Sequence, residues 1–184
     1  MHAIQPILVA LLCAAGPAAA ATLDFHTASG RGDGYVVDTS NPAASLPFSF
    51  VMVGNDRETE AIEITRYFAT AGARALRVSG EYAFLSKEYA SDLEMFGYFN
   101  GADYRPLTTI DYGIRTQTGA FAFLVRPNAT FGWYEQSVYG GDGGAVVTVG
   151  ASIVPVPLPG ALWAALAGLG ALAAAARPWR PGRA

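Results

Sequence analysis

Between Tyr35 and Ile153, apolar side chains recur at every second position. That is the period of a β-strand whose two faces meet different surroundings. Leu76, Val78, Tyr82 and Phe84 share one parity, with Arg77, Ser79, Glu81 and Ala83 on the other. Phe121, Phe123 and Val125 alternate with Ala120, Ala122 and Leu124, and Phe48 and Phe50 with Ser49 and Val51. In the same way Ile62 and Ile64, read as the inward pair, alternate with Glu63 and Thr65. Further strands are expected at Tyr35–Asp38, Glu94–Phe99, Phe131–Ser137 and Ala145–Ile153. Turn chemistry separates them at Gly54-Asn55-Asp56, Ala71-Gly72-Ala73, Asn100-Gly101 and Gly140–Gly144. Short strands at regular spacing predict an all-β chain, an antiparallel β-sandwich of jelly-roll-like form. The one helical competitor is Asp56–Ala69, where Arg57, Glu58 and Glu60 favour helix.

The two ends obey different rules. Ile7–Ala15 is a short apolar run, broken by Gly16-Pro17 and followed by Ala18–Ala21. That order predicts a secretory signal peptide over residues 1–21, although no Lys or Arg precedes the run. Cys13, the sole cysteine, lies inside it, and Leu12 before it argues against a lipoprotein. The exported body therefore has no disulfide and must hold by packing. Near the other end, residues 155–160 form a proline-rich segment, which cannot be helical. Gly160–Ala176 then runs 17 residues without a charge, the lower edge of a membrane span. A transmembrane helix is expected over 161–176, with a basic tail over 177–184. Arg177, Arg180 and Arg183 would hold that tail in the cytoplasm and place the body outside.

This tail resembles the PEP-CTERM class of sorting signals in its VPLPA-type variant. The motif stands here as Val156-Pro157-Leu158-Pro159-Gly160, with Gly160 where Ala is commoner. The resemblance covers about the last thirty residues. It implies a Gram-negative bacterium and an exosortase in the inner membrane. That enzyme recognises the motif, cuts near it and passes the body to a cell-surface or extracellular acceptor. Signal peptidase and exosortase are the processing partners so implied; an ordinary permanent anchor is the competing reading. Within the body, Arg77–Gly101 and Phe121–Val149 resemble segments of secreted bacterial β-sandwich domains with variable C-terminal anchors. That second likeness implies a secreted sandwich and no activity.

The body, residues 22–154, carries nine Lys and Arg against all fifteen acids, a net charge of −6 that the basic tail masks. An acidic surface without a basic stripe excludes nucleic acid as partner. His26 is the body's only histidine, and no G-x-S-x-G surrounds any serine. Nucleophile–histidine catalysis and Cys/His zinc sites lose their donors. Glu81, Glu88, Asp92 and Glu94 are the carboxylates from which a glycosidase pair could be drawn, but the short scaffold favours solvated acids. Calcium is the more plausible ion: Arg31–Gly34, Ser91-Asp92 and Gly140–Gly144 offer oxygen-rich turns, though none has the regular EF-hand spacing. Arg31-Gly32-Asp33 and Asn128-Ala129-Thr130 spell adhesion and glycosylation motifs by chance. Tyr89, Phe96, Tyr98, Phe99, Tyr104, Tyr112, Trp133, Tyr134 and Tyr139 exceed what a small core needs. Alternation turns one of each adjacent pair outward. Tyr98, Phe99, Trp133 and Tyr134 are thus the candidate glycan contacts, since flat rings stack on sugars.

No catalytic constellation emerges. The expected function is a non-enzymatic, secreted and surface-sorted protein with a structural or interaction role in the extracellular matrix. A glycan-binding, lectin-like module with exopolysaccharide as partner is the alternative, and a small glycan-active enzyme the weaker third.

Overall fold

The structure is a computed structural model of the 184-residue chain. It describes residues 23–30, 32–38, 47–55, 62–87, 94–109, 114–138, 143–156 and 167–168. The expected signal peptide, Pro157–Gly160 of the expected sorting motif, Arg177, Arg180 and Arg183 lie outside these residues, as does nearly all of the expected transmembrane helix. Among the described residues, no helix is long and apolar enough to cross a membrane.

The described residues of the body form ten strands: β1 (His26–Ser29), β2 (Tyr35–Asp38), β3 (Phe48–Val53), β4 (Glu63–Thr70), β5 (Leu76–Leu85), β6 (Glu94–Asn100), β7 (Asp103–Pro106), β8 (Thr116–Val125), β9 (Thr130–Ser137) and β10 (Val146–Pro155). They make two five-stranded sheets, both antiparallel. The first has the order β1-β4-β9-β6-β7, the second β2-β3-β10-β5-β8. Consecutive strands mostly change sheet, and only β2–β3 and β6–β7 stay in one. The β6–β7 hairpin turns at Gly101, whose φ of 64° suits the residue without a Cβ.

The core fills the space between the sheets. Phe48, Phe50 and Met52 of β3, Val78 and Phe84 of β5, and Phe121, Phe123 and Val125 of β8 face it from the second sheet. Phe96 of β6 and Phe131 and Trp133 of β9 face it from the first. The alternation on β3, β5 and β8 matches the parity expected from the sequence.

Strand β4 corrects that expectation. Ile62 is 61% exposed, whereas Glu63 and Thr65 are buried. Tyr67 and Ala69 carry the same parity as Glu63 and Thr65 and anchor β4 in the core. A strand cannot change face without a bulge, so the polar pair goes inward with them. The helix considered over Asp56–Ala69 is a strand from Glu63 onward; residues 56–61 are outside the described set. At the other end β10 runs to Pro155, and the Val156 amide donates to the Ala75 carbonyl at 2.9 Å. The sandwich thus extends into the first residues of the expected sorting segment.

Candidate functional site

The outer face of the first sheet gathers the aromatic residues that the core does not take. Cross-strand register sets Arg66 of β4 opposite Tyr134 of β9, Tyr134 opposite Gly97 of β6, and Phe99 of β6 opposite Tyr104 of β7. Gly97 makes room for a ring: a Cβ there would lie 2.6 Å from Cε1 of Tyr134. Tyr134 therefore lies flat across the glycine and is buried although it sits on the outer side. Its hydroxyl points to the Met95 sulfur at 3.9 Å. Burial pushes the Tyr134 phenol up, with a further contribution from Tyr104, so it keeps its proton.

Tyr104 is the exposed member of the group, at 40%. Its ring stacks on Phe99 with centroids 5.2 Å apart and meets the edge of Tyr134 at 5.1 Å. The Arg66 guanidinium lies 5.7 Å from the Tyr104 centroid, within cation–π range. The Nε of Arg66 is buried without a hydrogen-bond partner. The patch therefore offers an open ring beside a half-buried cation.

The four candidate glycan contacts divide between the two faces. Tyr98 and Trp133 point inward. Tyr98 stacks on Phe123 at 4.2 Å, and Trp133 is 0% exposed. Phe99 and Tyr134 point outward but are only 4% exposed, because Tyr104 and Arg66 cover them. The accessible surface of the cluster therefore belongs to Tyr104. Arg66 escaped the sequence reading because it shares its parity with Ile62 and Ile64, the apolar side of the alternation. Tyr89, Tyr112 and Tyr139 are outside the described residues.

The outer face of the second sheet carries a groove of about 530 Å³ lined by Glu81, Ala83, Thr118, Ala120, Thr148 and Gly150. Small side chains make it: Gly150 has nothing within 4 Å of where a Cβ would stand.

The candidate carboxylate pair does not assemble. Glu81 is exposed on the outer face of the second sheet, and Glu94 is 2% exposed on the inner side of the first. Glu88 and Asp92 are outside the described residues. Glu94 belongs instead to a polar end of the sandwich. Register brings Glu63 and Glu94 to either side of Ser137. Glu135 is fully buried beside them, and its Oε1 accepts from the Ser137 hydroxyl at 2.6 Å. Glu135 is held up at about 8, chiefly by burial and also by the charge of Glu94, against the lowering effect of Ser137.

Residues 32–34 of the Arg31–Gly34 candidate loop lie over the same end. Its Gly32 amide donates to Glu63 at 3.2 Å and its Asp33 amide to Asn55 at 3.1 Å. The turn thus offers these side chains its amides. Among the described residues, no three His, Cys, Asp or Glu side chains are grouped to hold a metal ion. Asp92 and Asp142 of the other two candidate calcium loops lie outside those residues. His26 is a surface residue at 3.5 Å from Asp24.

No family model matches the chain, and no curated protein matches it. Solved structures do. The TmCBM61 structure in complex with β-1,4-galactotriose is 9% identical, with a TM-score of 0.37, covering 72% of this chain and 88% of that one. The CBM22-1 xylan-binding domain from Paenibacillus barcinonensis Xyn10C is 11% identical at a TM-score of 0.35, covering 73% and 87%. The enzymatically active domain of tailspike protein 4 of bacteriophage CBA120 is 16% identical at 0.33. That match covers 71% of this chain and 19% of the tailspike. At such identities and TM-scores these likenesses say nothing of what this chain binds.

Proposed function

We propose that the chain is an exported, surface-sorted, non-catalytic module that holds extracellular glycan through the outer face of its first sheet. The observation that carries the reading is the Tyr104 ring. It is exposed at 40%, backed by Phe99 and flanked by the Arg66 guanidinium. A sugar ring presents an apolar face to such a platform and its hydroxyls to Arg66. The ring is pre-set by its neighbours, so little conformational entropy is lost on binding. The separation of Glu81 from Glu94 favours binding over hydrolysis, because a glycosidase pair must stand about 5–10 Å apart across one bond. The signal peptide and the sorting motif account for delivery to the matrix.

Titration of the purified protein with bacterial exopolysaccharides tests the reading. Binding is expected in the millimolar-to-micromolar range. Tyr104→Ala should weaken it at least tenfold, as loss of a stacking contact worth about 1.5 kcal/mol would, with only a modest fall in melting temperature from the uncovered Phe99 and Tyr134 rings. Arg66→Ala should weaken it by a smaller factor. No binding to any polysaccharide, or binding that survives Tyr104→Ala, removes this surface from consideration. Sorting has its own test in the intact mass of the protein from its producing cells. A chain ending near Val156–Gly160 with added mass is expected, and one still ending at Ala184 would mean a permanent anchor.

A further inference from the structure

The second sheet turns outward a face that is poor in charge and rich in exposed apolar groups. Tyr35, Val37, Leu85, Leu124 and Val154, each 45–63% exposed, all lie on it. Leu124 and Val154 share one end of the face, whereas Tyr35, Val37 and Leu85 lie towards the other. In the three strands β10, β5 and β8 the only charged outward side chains are Arg77 and Glu81, both on β5. Neither forms an ion pair or hydrogen bond with a described residue.

The register arranges these residues in rows across the strands. One row reads Leu124–Arg77–Val154, the next Ala122–Ser79–Ser152, the third Ala120–Glu81–Gly150. The first row projects: Leu124 is 63% exposed and Val154 48%. The third is the floor of the groove. Rows two residues apart are separated by about 6.7 Å, so projection and groove lie symmetrically about the middle row.

From this pattern we infer that the face docks on a second copy of the same chain. The two-fold axis lies in the interface, across the strands, over the row of Ala122, Ser79 and Ser152. The operation seats Arg77 on Glu81 of the partner subunit. It also drops Leu124 over Ala120 of the partner subunit and Val154 over the open space at Gly150 of the partner subunit. Each contact occurs twice, as an isologous interface requires. The small side chains on the axis row allow the sheets to approach to about 10 Å. The charge pattern is self-complementary: one cation and one anion, neither paired with a described residue of its own chain, find each other in the dimer. A foreign apolar partner would account for the exposed Leu124 but not for the matching spacing of projection and groove. An interface of two ion pairs and a few apolar contacts is a weak one, and a dissociation constant on the order of 10 µM is expected.

Such a dimer leaves both first-sheet faces outward. If those faces bind glycan as proposed above, the dimer is bivalent and bridges polymer chains, with an avidity gain that needs no new contact. The dimer itself does not rest on that reading.

Sedimentation of the full-length chain in mild detergent, between about 1 and 200 µM, tests the inference. A monomer–dimer equilibrium is expected. Arg77→Glu should weaken it at least tenfold by setting like charges opposite one another, and the pair Arg77→Glu with Glu81→Arg should restore it to within about threefold. Leu124→Asp should abolish it. All three positions are exposed, so melting temperatures should stay unchanged. A monomer at every concentration, or a dimer indifferent to Arg77→Glu and Leu124→Asp, overturns the inference. Restoration by the double exchange separates this contact from association through the apolar C-terminal stretch. Failure here leaves the Tyr104 titration untouched.

Discussion

The unfolding free energy of the protein should fall as pH rises from about 4.5 towards 8, and Glu135 should be the group responsible. Its carboxyl is 0% exposed, and its Oε2 has no hydrogen-bond partner. Among the described residues, Glu63 on β4 and Glu94 on β6 are the acids beside it, with Asp33 and Lys87 in the adjoining segments. Burial and the Glu94 charge raise it from 4.5 to about 8. The folded protein keeps the proton while the unfolded chain releases it above about 4.5. The contribution to stability is therefore whole below the unfolded value and is lost progressively up to the folded one. At about 1.4 kcal/mol per pH unit, the loss between pH 4.5 and 7 is about 3 kcal/mol. Glu135→Gln keeps an acceptor for Ser137 and cannot ionise, so its stability should lack this slope. Denaturant melts of both proteins at half-unit steps from pH 5 to 8 measure the difference. Parallel curves would show that Glu135 ionises inside the fold.

That polar end shows where the sequence stops being legible. On β5, and on β8 from Phe121 onward, the inward parity carries apolar side chains apart from Gly80, and reading it needs only the burial preference of Val, Phe and Leu. On β4 the inward parity begins Glu63-Thr65 and ends Tyr67-Ala69. Local hydrophobicity favours Ile62 and Ile64 for the core. The decision belongs to partners far along the chain, namely Ser137 opposite Glu63 and the Gly32 amide that satisfies its carboxylate. Strands β1 and β7 escaped for a related reason: every residue in each is exposed, so no alternation marks them.

The candidate site was legible in composition and not in orientation. An excess of aromatic residues correctly requires that some face outward. Which member of Tyr98-Phe99 or Trp133-Tyr134 does so depends on the parity of β6 and β9. Glu94 and Glu135 blur that parity by being buried alongside Phe96 and Trp133. Whether an outward ring stays open is a further question, settled by the next strand. Tyr104 on β7 covers Phe99 and with Arg66 closes over Tyr134.

Trp133→Ala should be among the most damaging single changes in the sandwich, costing about 3–5 kcal/mol. The indole lies 5.0 Å from the ring of Phe50, 5.9 Å from those of Phe48 and Phe121, and 6.1 Å from that of Phe25. Phe48, Phe50 and Phe121 belong to the opposite sheet, so the side chain joins the two layers. For a body of this size the loss corresponds to a melting temperature lower by about 10–20 °C. Trp133→Phe is expected to behave differently. The indole N–H is buried without an acceptor, and an unsatisfied donor costs about 1–3 kcal/mol. Phenylalanine removes that penalty while giving up part of the packing, leaving a net cost of about 1 kcal/mol. Thermal unfolding of both variants checks the pair, and a Trp133→Ala protein melting within a degree of the parent would show that the ring does not hold the sheets together. Glycan titration of Trp133→Phe below its melting temperature adds a discriminating result. Binding should persist there and be lost in Tyr104→Ala, because only the second ring touches solvent. The reverse outcome would place the ligand between the sheets, where neither Tyr104 nor Arg66 could reach it.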